Sequence, residues 1–215
     1  MPSAEWIVAA AAGIATRWLV LAVVWHVYLA GILVALSRHA PRSSRVLATL
    51  LIAPVVSVSG LAWFSGNPFN GAVFAALALL MSGLARRLTP ARPVVSSTPS
   101  LVSGAALVAY AWTYPHFLAP MPWTTYLVAA PFGLLPCPTL AAVIGITLMV
   151  RTLQQRAWSL TVGAAGLIYG LIGIVSLGVT LDMGLLAGAV ALIIGTILQP
   201  AAGTGHRAPA AQFSH

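Results

Sequence analysis

Charge is what this chain has least of: 6% of its 215 residues are charged, against about 25% in soluble domains. With 60% hydrophobic residues and a mean hydropathy of +0.99, that scarcity excludes a soluble fold and makes the chain an all-α integral membrane protein. No polar stretch exceeds about twenty residues, too few for an aqueous domain with its own core. Lysine is absent, and the only acids are Glu5 and Asp182. The one cysteine, Cys137, excludes an internal disulfide and carries no information about compartment. No P-loop sequence occurs. The start Met1-Pro2-Ser3-Ala4-Glu5-Trp6 lacks the basic region of a cleaved signal peptide, so residues 1–13 are expected to form an N-terminal outer segment.

What is present falls into apolar runs separated by arginine. A crossing needs about 20 apolar residues, and seven candidates appear, at 14–36, 46–64, 68–85, 101–118, 127–150, 158–180 and 183–200. They form a single transmembrane domain over 14–200, with a small, polar and disordered tail over 201–215. Arg38, Arg42 and Arg45 follow the first candidate, Arg86, Arg87 and Arg92 the third, Arg151 and Arg156 the fifth, and Arg207 the seventh. The other connections carry no basic residue, and both acids lie on that arginine-free side. Positive residues mark cytoplasmic loops, which predicts an outer N-terminus and a cytoplasmic C-terminus in a bacterial inner membrane. Arg17 alone breaks the alternation and can snorkel to the headgroups. Six crossings with one interfacial segment is the alternative. The net charge of +8 is therefore a topology signal and does not point to nucleic acid.

The unusual residues gather on the arginine-free side. Asn67-Pro68 is a helix start, with Asn as cap and Pro in the first turn. The same helix end could equally attract an anion. Tyr114-Pro115-His116-Phe117 closes the fourth candidate, followed by Pro120-Met121-Pro122-Trp123. Its aromatics read as interfacial anchors, and His116 as a solvated side chain, a metal ligand or a proton carrier. Inside the fifth candidate lies Pro131-Phe132-Gly133-Leu134-Leu135-Pro136-Cys137-Pro138-Thr139. Prolines lack the N–H of the helical ladder, and unpaired backbone groups in lipid cost several kcal/mol. The run is thus either a binding site or a kink packed by a small thiol.

A half-helix is expected to begin at Pro138-Thr139 and run to Val150, with Cys137 roughly 7–15 Å below the outer interface. Cys137, His116, Met121 and Met183 are soft donors that would suit copper(I) or a similar ion if their helices pack together. Asp182, in the last outer turn, reads as a wet loop acid or as part of that site. His26, mid-way along the first candidate, is a functional residue by default in a membrane or a bonded core histidine. Gly163, Gly166, Gly170, Gly173 and Gly178 form a small-residue packing face.

Tyr114-Pro115, Met121-Pro122, Phe132-Gly133 and Pro136-Cys137-Pro138-Thr139, with Asn67-Pro68 and Leu181-Asp182-Met183-Gly184-Leu185-Leu186, resemble an uncharacterised bacterial multi-pass membrane family. That family bears a Tyr-Pro … Phe-Gly-x-Pro-Cys-Pro-Thr signature. Here Leu140-Ala141-Ala142 stands where the family pattern is more polar. The resemblance implies a fold and a site centred on the Pro-Cys-Pro-Thr element, and no activity. Three function classes remain: a transporter or binding protein for an ion or small solute, an accessory subunit associating with a partner membrane protein or a second copy, and an enzyme using Cys137 with His116 as base.

Overall fold

The computed structural model describes residues 4–38, 41–118 and 121–198. The predicted tail 201–215, with Arg207, lies outside them, as does Pro120. The described chain is built from helices: α1 (Ala4–Arg17), α2 (Leu19–Ser37), α3 (Ser44–Phe64), α4 (Pro68–Arg87), α5 (Thr98–Thr113), the short α6 (Tyr126–Ala129), α7 (Pro136–Met149), α8 (Arg156–Leu171) and α9 (Met183–Leu198). A π-helical turn, Ile172–Ser176, extends α8.

Local chemistry sets several of these boundaries. Ser43 caps α3 by accepting the Val46 amide at 3.3 Å, and Asn67 caps α4 by accepting that of Asn70 at 3.0 Å. Pro68, Pro99 and Pro136 stand in first turns, where a missing N–H removes no helical bond. α5 stops at Thr113, because Pro115 disfavours helix in the residue before it.

Five of the segments, Leu19–Ser37, Ser44–Phe64, Pro68–Arg87, Arg156–Ser176 and Thr180–Leu198, are long and apolar enough to cross a bilayer. The fourth and fifth predicted spans are shorter as helices. α5 has 16 residues and α7 has 14, giving lengths of about 24 and 21 Å at 1.5 Å per residue. The first predicted span begins later than expected, because the chain breaks at Trp18 and α1 forms a separate helix from Ala4.

α7 is the axis of the bundle. Every residue from Pro138 to Leu148 is buried, and α7 packs against α3, α5, α8 and α9. It meets α5 at a pair of glycines. A Cβ at Gly145 would stand 2.8 Å from the Gly104 carbonyl oxygen, and one at Gly104 would stand 2.5 Å from that of Gly145. The glycine face of α8 is used inside the chain: a methyl at Gly163 would meet Ile193, one at Gly166 Ile144 and Ala189, and one at Gly170 the backbone of Leu186.

The arginine-bearing connections meet at one end of the bundle. Arg45 Nε donates to the Leu88 carbonyl at 2.7 Å, the Ser44 amide to that of Ala91 at 2.8 Å, and the Arg151 amide to that of Val94 at 2.8 Å. Ser44 Oγ also donates to Thr152 Oγ1 at 2.6 Å. Hydrogen bonds at the opposite end tie together residues of the arginine-free connections, and the site lies there.

Candidate site at the broken helix

Between α6 and α7 the chain leaves the helix and turns. The amides of Leu134 and Leu135 both donate to the Pro131 carbonyl, at 3.1 and 3.0 Å, and that of Phe132 donates to Ala130 at 2.7 Å. Thr139 stitches the turn to the helix: its hydroxyl donates to the Leu135 carbonyl at 2.7 Å and accepts the Gly133 amide at 2.9 Å. Gly133 has φ +74°, and a Cβ there would run into the Trp25 ring, so both its conformation and its contacts require glycine. The half-helix therefore starts at Pro136, two residues before the expected Pro138. Leu135 is extended and acts as the cap residue, and both prolines fall in the first turn. The amides of Phe132, Gly133, Leu134 and Leu135 are all bonded locally, as an apolar setting demands.

Cys137 is partly buried in that first turn. Its thiol donates to Asp182 Oδ2 at 3.2 Å, and the Tyr114 hydroxyl donates to Asp182 Oδ1 at 2.7 Å. Asp182 is 1% exposed, which corrects the reading of a wet loop acid. A three-residue helical turn, Thr180–Asp182, folds it inward. The π-helical turn of α8 places Gly173 directly against the carboxylate, leaving no room for a side chain. Tyr110, one helical turn before Tyr114, donates to the Leu181 carbonyl at 2.6 Å and fixes the same turn. Tyr169 donates to Asn70 Oδ1 at 2.9 Å, joining α8 to the start of α4.

These groups border a cavity of about 770 Å³. Its walls come from one face of α1, the turn between α3 and α4 including Asn67 and Asn70, Phe117, the break and first turn of α7, and the end of α8 through Asp182. Most of the lining is apolar side chains. The polar exceptions include Asn67, Asn70, Tyr169, Cys137 and Asp182.

Cys137, Pro136, Pro138, Asp182 and Asn67, all expected at a site, do line one cavity. Thr139 supports it from behind, fully buried. The other expected residues lie elsewhere. His116 is partly buried with its ring edge-on to Phe117 at 4.3 Å, outside the cavity wall. Met121 does not line the cavity but packs behind its wall, in the apolar cluster of Leu118, Leu134 and Leu135. Met183 is 61% exposed and does not line the cavity. Among the described residues no three His, Cys, Asp or Glu side chains converge to hold a metal ion, so the imagined soft-donor set is not assembled. His26 is buried, with Nδ1 2.8 Å from the Ala22 carbonyl oxygen and Nε2 2.9 Å from that of Trp112. It clamps α2 to one of the unpaired carbonyls that end α5 and plays no part in the cavity.

Sequence reasoning missed Tyr114, Tyr110, Tyr169, Asn70 and Gly173. Tyr110 and Tyr114 stand four apart, on one face of α5, a spacing that hinted at a shared target. Gly173 was read as one more packing glycine. No family model, curated protein or solved structure matches the chain.

Proposed function

We propose that the chain is a multi-pass protein of the bacterial cytoplasmic membrane, crossing it seven times with its N-terminus outside. On this reading the cavity faces outward and binds or transports an ion or small solute. One observation carries the proposal: a buried carboxylate, held by Tyr114 and Cys137, borders a 770 Å³ cavity at the start of a discontinuous helix. Such volumes match solute sites, of about 300–1,000 Å³, and discontinuous helices form the binding sites of many transporters. α5 and α7 complete the seven crossings as short helices flanked by non-helical chain.

The competing readings lose their supporting features. Of the glycine face that suggested an accessory subunit, Gly163, Gly166 and Gly170 are occupied within the chain by α7 and α9, and Gly173 by Asp182. The enzyme reading needs His116 as a base for Cys137, whereas the thiol is bonded to Asp182.

Because Cys137 is the only thiol, its labelling reports both sidedness and access. A membrane-impermeant thiol reagent added to intact spheroplasts is expected to modify it. Modification that appears only after the membrane is permeabilised would sink the outward-facing site.

A further inference from the structure

Taking the cavity to be a solute site, we infer that its ligand is a cation with an apolar body, such as a protonated arylalkylamine, with Asp182 as counter-charge. The inference rests on which groups border the cavity and which do not.

The carboxylate is an unsaturated acceptor. An ionised carboxyl offers about four lone-pair positions, and Asp182 uses one for Tyr114 and one for Cys137. Both neighbours donate to it, so further acceptor capacity remains on a group lining the cavity. An ammonium group supplies the matching N–H donors, and bonds of this charged kind are the strong ones. Among the described residues no arginine or histidine lines the cavity to compete for that place. His116 is within electrostatic reach of the carboxylate but stands outside the cavity wall.

Three helix starts, those of α1, α4 and α7, also border the cavity, and helix starts ordinarily favour anions through their free N–H groups. In α4 and α7 the sequence removes most of those groups. Pro136 and Pro138 have no N–H, and the Thr139 amide is directed to the Leu135 carbonyl, so the first turn of α7 offers only the Cys137 amide. In α4, Pro68 has none, and the Asn70 and Gly71 amides are bonded to Asn67. Asp182 sets a full negative charge against the few amides that remain, and no cationic side chain of the described lining offsets it. A cation is therefore favoured over an anion. The apolar walls, with the rings of Phe117 and Tyr169 among them, suit an apolar body and the face of a cation.

Three probes that share one body separate the possibilities: 4-phenylbutylamine, 4-phenylbutanol and 4-phenylbutyrate, titrated at neutral pH into the purified full chain in detergent. The amine is expected to bind tighter than both others by about tenfold or more. Asp182→Asn should lower the amine to the level of the alcohol, while Glu5→Gln, at the only other acid, should leave the order unchanged. If Asp182→Asn does not fold, the three-probe order in the unaltered chain decides alone. Equal binding of amine and alcohol, or tighter binding of the acid, overturns the cation inference and leaves the solute site standing. No saturable binding by any of the three overturns both.

Discussion

Replacing Gly173 by alanine probes the site where it is tightest. The added methyl would stand 2.6 Å from Asp182 Cγ and 2.9 Å from its Cβ, with Oδ2 nearer still. The carboxylate must swing away, and it then forfeits the Tyr114 hydroxyl at 2.7 Å and the Cys137 thiol at 3.2 Å. Hydrogen bonds to charged groups contribute about 1.5–3 kcal/mol each, and the weak thiol donor sits at the low end, so the pair amounts to about 3–4 kcal/mol. The better helix propensity of alanine returns about 1 kcal/mol. A net loss of about 2–3 kcal/mol is expected in unfolding titrations with SDS and a mild detergent. Gly195→Ala, inside α9 with no neighbour within 4 Å, serves as control and should stabilise by up to about 1 kcal/mol. The decisive comparison is the same Gly173→Ala change made in an Asp182→Ala background, where only the contact with Cβ remains. Its cost there should fall below about 1 kcal/mol. Equal costs in both backgrounds would refute the idea that this glycine exists to admit the carboxylate.

Three further outcomes follow from the same geometry. Thr139→Val leaves the buried Gly133 amide without its acceptor and should destabilise by about 2 kcal/mol, read in the same titration; a neutral effect would mean that the break does not depend on this hydroxyl. Tyr169→Phe, which removes the bond to Asn70, should lose about 1 kcal/mol, and Asn70→Ala should add little on top of it. Cys137→Ser keeps a donor beside Asp182 Oδ2 and is expected to stay within about 0.5 kcal/mol of the parent; a loss above about 2 kcal/mol would show that sulfur packing, rather than donation, is what the position needs.

Much of this arrangement is legible in the residues. Arginine spacing groups the connections onto two ends, and the bonds from Arg45 to Leu88 and from Arg151 to Val94 bring the arginine-bearing ones together. Three prolines within eight residues locate the break, since a continuous helix through them would lack three ladder donors. Asn67-Pro68 marks the start of α4 by its cap chemistry. The rest is hidden for physical reasons. The break at Trp18 carries no proline or glycine to announce it. Tyr114 and Asp182 are 68 residues apart, and a tyrosine at a helix end looks like an interfacial anchor until its partner is seen. The pairing of Cys137 with a carboxylate in place of His116 depends on the π-helical turn of α8, which local sequence does not specify. Residue type alone likewise overstated the methionines: Met183 points outward and Met121 inward, to different surroundings.

The shortness of α7 has an electrical consequence. If α7 crosses a bilayer as proposed, it covers about 21 Å of a hydrocarbon core of about 30 Å, with the cavity bordering its first turn. In that arrangement, with water or an ion in the cavity, the membrane potential would drop mainly along the helix, and the field there would be steeper by about 1.4-fold, the ratio of these two lengths. A cation resting on Asp182 would then stand at the top of that gradient, where each elementary charge moved fully across is worth about 2.3 kcal/mol per 100 mV. Occupancy at the broken helix would in that case respond to voltage as well as to concentration.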